Sequence, residues 1–222
     1  MPKSIKSGAG PPVSFEKKLP DEGRPGDALP YSVIAIGASA GGLQAIGAVL
    51  RDLSSDLNCP VLVVLHLAPQ FTSHAAEVLA RATKLAVKQA SDDELLRSGV
   101  VYIAPPDFHL NVANGAVRLT HTAAINYSRP SIDSMFQSIA INYGKRAIAV
   151  VLTGSGADGA KGLRAIKEAG GYAIVQDPRS AEFSAMPGAA MATQCADRVL
   201  PLAEIGPLLK QLSTGFDAAH TQ

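Results

Sequence analysis

Four short segments of the chain carry residue types able to do chemistry. Gly37-Ala38-Ser39-Ala40-Gly41-Gly42 sets a serine among small residues and glycines, directly after a β-branched run. His66 follows the apolar run Val61–Leu65. Thr153-Gly154-Ser155-Gly156-Ala157-Asp158-Gly159 follows the apolar residues 147–152, and Gln176-Asp177-Pro178 closes another such run. A serine held in a tight, glycine-flanked turn between a strand and a helix is an exposed nucleophile, and the first N–H groups of the helix face a developing oxyanion. Such a serine needs a base to take its proton, and the base needs a carboxylate to fix its tautomer and stabilise the imidazolium. Ser39, His66 and Asp158 form a coherent set for acyl transfer.

Each of these residues also has a plainer reading. The glycine-rich turn could be an ordinary strand-to-helix connection or a phosphate loop. A dinucleotide fingerprint, G-x-G-x-x-G, would want glycine where Ser39 stands, and an acidic residue where the next strand ends in His66. A P-loop is excluded because no Gly-Lys-Ser/Thr follows. His66 could donate to a backbone carbonyl, and Asp158 could cap the helix opening near Gly159. Asp177 and Asp133 are alternative carboxylates, although Asp133 lies in the first turn of a helix, where the dipole favours it without any chemistry. His74, His109, His121 and His220 fit surface or structural roles. No cluster has metal-ligand spacing, so no metal is expected.

The elements that must position these residues read as an α/β domain. Residues 32–36, Val61–Leu65, 99–104, 147–152, Tyr172–Gln176 and Arg198–Leu200 are strand candidates with few polar positions. Helical spacing appears at Leu43, Ile46 and Leu50, over about residues 72–83, and at Ile132, Met135, Phe136, Ile139, Ala140 and Tyr143. A further helix opens near Gly159 and stops at Gly170-Gly171. Residues 109–120 alternate around Asn114-Gly115, a hairpin signal. Apolar strands separated by helices imply a mostly parallel sheet covered on both faces. The expected fold is a doubly wound, three-layer α/β/α sandwich with one β-hairpin. In such sheets function collects at the carboxyl ends of the strands, where Ser39, His66 and Asp158 all fall.

Composition narrows the partners. The 222 residues carry 20 Lys/Arg and 19 Asp/Glu, a net charge of +1. Residues 1–30 hold five basic and four acidic residues, leaving 15 of each in the remainder. Without a basic excess, nucleic-acid binding is not expected. The apolar runs are too short to span a bilayer, and the opening Met1-Pro2-Lys3-Ser4 lacks an apolar signal core, so a cytoplasmic location without membrane insertion is expected. Cys59 and Cys195 make neither a disulfide framework nor a four-cysteine zinc site. Residues 1–30, rich in Pro, Gly, Lys and Ser, read as a flexible tail or linker, 31–212 as the catalytic domain, and 213–222 as a C-terminal tail.

From Tyr31 to Leu209 the chain resembles the catalytic domain of the chemotaxis receptor methylesterases, the CheB family. The resemblance rests on Ile34-Ala35-Ile36-Gly37-Ala38-Ser39-Ala40-Gly41-Gly42, His66-Leu67-Ala68-Pro69-Gln70-Phe71-Thr72 and Tyr102-Ile103-Ala104-Pro105-Pro106. It continues through Arg129-Pro130-Ser131-Ile132-Asp133, residues 152–160, Gln176-Asp177-Pro178 and Met186-Pro187-Gly188-Ala189-Ala190. The resemblance implies Ser39 as nucleophile, His66 as base and Asp158 as the carboxylate, with no cofactor. It implies hydrolysis of glutamyl methyl esters, and deamidation of certain glutamines, on the cytoplasmic helices of methyl-accepting chemoreceptors. Backbone N–H groups at Ala40 and Ser155 are the expected oxyanion donors. Two positions depart from the usual pattern: Ser155 stands where methionine is common, and Ala157 where asparagine is common. Thirty leading residues are too few for the family's receiver domain, so the chain reads as a stand-alone esterase domain or a fragment. A non-catalytic adaptor of the same fold, or a nucleotide-binding α/β domain, are the rival readings.

Overall fold

The computed structural model describes residues 32–66 and 74–214. The expected N-terminal tail, the motif residues 67–72 after His66, and residues 215–222 lie outside the described residues. Nine strands and six α-helices are present among the described residues. In chain order they are β1 (Val33–Ala38), α1 (Gly42–Arg51), β2 (Val61–Leu65), α2 (Ala75–Ala80), β3 (Ala86–Gln89), β4 (Val100–Ile103), β5 (His109–Ala113) and β6 (Ala116–Thr120). There follow α3 (Ile132–Tyr143), β7 (Ala147–Val151), α4 (Ala160–Glu168), β8 (Tyr172–Gln176), α5 (Ala185–Ala192), β9 (Arg198–Leu200) and α6 (Leu202–Ser213).

Seven strands form one parallel sheet in the order β3-β4-β2-β1-β7-β8-β9. Alternate residues of each strand point to opposite faces, so both faces can be apolar at once. Ile34 and Ile36, Val63 and Leu65, and Ile148 and Val150 pack with Ile46 and Leu50 of α1, Leu79 of α2, and Ile205, Leu209 and Leu212 of α6. Val33 and Ala35, Leu62 and Val64, and Ala149 and Val151 pack with Met135, Phe136 and Ile139 of α3, Leu163 and Ile166 of α4, and Met186 of α5. Leu110, Val112 and Val117 of the hairpin join this second face. Each large aliphatic side chain so buried contributes about 1.5–3 kcal/mol. The expected three-layer sandwich is therefore present, with every strand of the large sheet parallel.

The hairpin pairs Ala113 with Ala116, leaving Asn114-Gly115 as a two-residue loop with φ of 52° and 75°. Both angles suit the turn that matches strand twist. Several boundaries differ from the sequence expectations. β1 runs on through Gly37 to Ala38. The second helix is short, and α6 continues through Ser213, one residue beyond the expected domain end. Strand β3 and helices α5 and α6 had no counterpart in the sequence reading.

The strand order places a switch beside β1. From β1 the chain passes to β2 and on to β3 at the edge, comes back to place β4 between β3 and β2, and then crosses to β7 on the other side of β1. The connections leave the carboxyl ends of β1 and β7 in opposite directions and open a crevice there.

Candidate active site at the carboxyl edge of the sheet

Ser39 is the first residue after β1 and is half-buried. Its N–H donates to Thr153 O at 3.0 Å, and its carbonyl accepts from Gly42 N at 2.8 Å, so the backbone turns sharply from strand to helix. Gly41 completes the turn at φ +70°, a conformation that costs glycine little. The loop after β7 closes on the other side of the serine. Thr153 Oγ1 donates to Ala40 O at 3.1 Å. A Cβ on Gly154 would stand 2.8 Å from Ser39 Cβ, so only glycine fits that approach. The N–H groups of Ala40 and Ser155 have no acceptor among the described residues.

His66 extends the β1–β2 ladder by one rung, donating its backbone N–H to Ala38 O at 3.0 Å. Because Ala38 pairs with Leu65, Ser39 and His66 are the next residues of two adjacent parallel strands. The His66 ring, 16% exposed, places Nε2 3.0 Å from Asp158 Oδ2, and Asp158 is 3% exposed. A carboxylate only accepts, so the proton of neutral His66 resides on Nε2 and the lone pair on Nδ1. Two of the three sequence candidates thus meet in a hydrogen bond across 92 residues of chain.

Asp158 is held from all sides. Oδ2 also accepts from Ile132 N at 2.7 Å. Oδ1 accepts from Ser131 Oγ at 2.9 Å, Asn126 Nδ2 at 3.1 Å and Asp133 N at 3.2 Å. Burial alone would push its carboxyl up; the hydrogen bonds from His66, Ile132, Asn126 and Asp133 outweigh it and hold the group below the ordinary carboxylate value. Asp158 therefore remains an anion able to stabilise an imidazolium.

The helix-cap reading of Asp158 fails in a specific way. Asp158 does bind helix N–H groups, but those of α3, not of the helix that follows it. The N-cap of α4 is Gly159, which has no side-chain cap. Asp133, expected to favour its own helix α3, instead accepts from Gly159 N at 2.9 Å and Gly162 N at 2.7 Å of α4. Each helix start is thus held by the aspartate of the other. Burial raises the Asp133 carboxyl above its usual range despite the Gly162 hydrogen bond, and the nearby Asp158 charge adds to the rise.

Other candidates separate cleanly. Asp177 pairs with its near neighbour Arg179, whose guanidinium Nη2 lies 2.6 Å from Oδ2. His109 is fully buried; its Nδ1 accepts from Ser131 N at 3.1 Å, and its Nε2 lies 3.1 Å from Ala123 O. That is a structural role, as expected. His121 contacts Asp107, and His74 contacts Glu77. Cys59 is buried, which pushes its thiol up to about 12, far from a reactive thiolate. No three His, Cys, Asp or Glu side chains are grouped to hold a metal among the described residues, and no described helix is long and apolar enough to cross a membrane. Asn126, which touches both aspartates, carried no signal in the sequence beyond lying near a turn.

Residues 34–209 match the family model described as CheB methylesterase. A protein-glutamate methylesterase/protein-glutamine glutaminase of Anaeromyxobacter dehalogenans is 42% identical over 189 residues, covering 85% of this chain and 55% of that protein. A putative protein of the same description from Leptospira interrogans is 37% identical over 183 residues, covering 82% of this chain and 95% of its own. The chain spans about half the length of several curated relatives it matches, 55% and 54% in two of them. The crystal structure of the Thermotoga maritima CheB methylesterase catalytic domain superposes with a TM-score of 0.78 at 36% identity, covering 83% of this chain and all of that one. With the family model spanning the strand ends that carry Ser39 and Asp158, this chain belongs to the CheB methylesterase family.

Proposed function

We propose that the chain is a serine esterase acting in the cytoplasm as a protein-glutamate methylesterase. Its substrates are glutamate methyl esters on the cytoplasmic helices of methyl-accepting chemoreceptors, with hydrolysis of certain receptor glutamine amides as a second activity. The observation that carries this reading is the His66–Asp158 hydrogen bond at 3.0 Å, one strand away from Ser39 at the same edge of the sheet. The names of the relatives supply the substrate class.

In this reading Ser39 Oγ attacks the ester carbonyl carbon while His66 takes the hydroxyl proton. Asp158 keeps the imidazole in its working tautomer and balances the imidazolium charge. The Ala40 and Ser155 N–H groups donate to the oxyanion, and α1 adds the positive end of its dipole. Collapse of the tetrahedral intermediate breaks the C–O bond, and methanol leaves with the proton from His66. Water, deprotonated by His66, then attacks the acyl-Ser39 carbonyl; the C–Oγ bond breaks, the proton returns to Ser39, and glutamate is released. No cofactor takes part in these steps.

The test is methanol release from a methylated receptor fragment by wild type and Ser39→Ala. Loss of a triad nucleophile costs about 10⁶ in turnover in a serine protease. The expected outcome is a loss of several orders of magnitude with unchanged melting. A Ser39→Ala protein as active as wild type overturns the assignment.

A further inference from the structure

The turn at residues 125–128 has no part in the reaction just described, yet it reaches the buried carboxylate from the solvent side. Two backbone hydrogen bonds between Ile125 and Ser128, at 3.1 and 2.9 Å, close it. Both central residues have positive φ, 50° at Asn126 and 62° at Tyr127. Asparagine tolerates that region, whereas tyrosine is rarely found there. The Tyr127 side chain is fully exposed, so its packing does not explain the conformation. What the turn accomplishes is the placement of Asn126.

The Asn126 amide nitrogen donates to Asp133 Oδ2 at 2.7 Å and to Asp158 Oδ1 at 3.1 Å. Both acceptors are carboxylate oxygens, so only the NH₂ end of the amide can face them. Its two hydrogens therefore lie between two acidic groups that would otherwise confront each other. The division of labour at Asp158 is equally clear. Oδ2 serves His66 and Ile132 N, while Oδ1 serves Ser131, Asp133 N and Asn126. Rotation of the carboxylate would exchange these roles and move the acceptor away from the imidazole. Asn126 is the member of the Oδ1 set that comes from outside α3 and its N-cap Ser131, and it also anchors Asp133, whose other oxygen holds the start of α4.

We propose that Asn126 is a positioning residue, whose side-chain amide bridges Asp158 and Asp133 and holds the carboxylate rotation that presents Asp158 Oδ2 to His66. The proposal rests on the Ser39–His66–Asp158 reading, and its test separates the two. Wild type, Asn126→Gly and Asn126→Asp are compared in the rate at which a fluorophosphonate probe labels Ser39. The hydrogen-bonded imidazole N–H proton of His66 is followed by NMR, and kcat and KM are measured on a glutamyl methyl ester peptide. Asn126→Gly keeps the turn, because glycine accepts positive φ, and removes only the amide. It should melt below wild type yet remain folded at the assay temperature, keep its KM, and lose about tenfold to a hundredfold in labelling rate and kcat per folded molecule, the size expected if a hydrogen bond to a charged group is what holds the carboxylate in place. The His66 N–H resonance should weaken or broaden. Asn126→Asp, which adds a third carboxylate, should lose more. Wild-type labelling and an unchanged resonance in Asn126→Gly overturn the proposal, as does a loss that vanishes after correction for folded fraction. A wild-type protein that is not labelled at Ser39 overturns the triad reading itself, and this proposal with it.

Discussion

Helices α1 and α3 both begin at the carboxyl edge of the sheet, and their first turns are treated in opposite ways. The start of α3 is filled: Ser131 Oγ accepts from Ser134 N at 3.3 Å, and Asp158 accepts from Ile132 N and Asp133 N. The start of α1 is open. Its N-cap is a left-handed glycine with no side-chain cap, and its first turn has no acidic residue. A permanent anion at a helix N-terminus brings about 0.3–1 kcal/mol, whereas a donor aimed at a developing oxyanion is worth about 2.7–4 kcal/mol of barrier. The same backbone feature is therefore a fastener where a carboxylate occupies it. In the proposed reading it is a catalytic resource at α1, where no side chain caps the helix beside Ser39 and the Glu182 carboxylate near Gly41 is exposed.

Removing the anion from the filled end should have the largest effect. Asp158→Asn should lower methyl-ester turnover by about 10²–10⁴, by analogy with the serine-protease aspartate. It also turns an all-acceptor group toward several N–H donors and should cost about 1.5–3 kcal/mol in stability at neutral pH. The pH dependence has a definite sign. The Asp158 carboxyl is lowered in the folded state, so its stabilisation is complete above about pH 4 and is lost as pH falls through the folded value. The melting gap between wild type and Asp158→Asn should therefore close in acid. Asp133, raised in the folded state, works the other way: it favours the fold below the ordinary carboxylate value and loses that contribution as pH rises through its own. Asp177→Asn is the control, and near-normal turnover is expected because Asp177 is engaged with Arg179. A well-folded Asp158→Asn with normal turnover would erase the distinction between the two helix starts.

Crowding the open end should have an intermediate effect. Gly154→Ala sets a methyl against Ser39 Cβ and Met186 Cε, each 2.8 Å from the new atom. A misplacement of about 1 Å at a reacting group costs on the order of 10²-fold, and kcat should fall by that order with little change in KM. The smallest change is expected from Gly41→Ala. The φ of +70° should cost an alanine about 1–2 kcal/mol, read as a lower melting temperature. Its Cβ would meet the carboxylate end of Glu182, which is exposed and able to move aside. Equal activity losses in the two glycine variants would show that the turn and the nucleophile respond as one rigid piece.

Much of the frame was legible because burial writes itself as apolar runs. β1, β2, β4, β7 and β8 are sheathed on both sides, and Asn114-Gly115 marks the hairpin without tertiary help. That Ser39, His66 and Asp158 share an edge followed from parallel strands alone. Strand β3 was not legible: Lys88 and Gln89 lie at the sheet edge, mostly solvent-facing, so no apolar run forms. Helix α6 does show Leu202, Ile205, Leu209 and Leu212 at helical spacing, but Pro207 interrupts it as a breaker would. The exchange of caps was out of reach for a local rule. A rule of that kind assigns Asp158 to α4 and Asp133 to α3, whereas the exchange exists only because α3 and α4 pack side by side. Asn126 is hidden for the same reason, being an exposed turn residue whose meaning depends on two aspartates brought together by the fold.

The placement of β1 between β2 and β7 carries a consequence for the chain as it leaves the ribosome. Serine and imidazole emerge early, at positions 39 and 66, but the carboxylate at 158 follows β7. Before α3, β7 and α4 are made, the chain can form at most the half-sheet β1–β4, with no β7 beside β1 and no Asp158 behind the imidazole. In the proposed reading, hydrolytic competence therefore cannot precede the second half of the sheet, which carries the carboxylate.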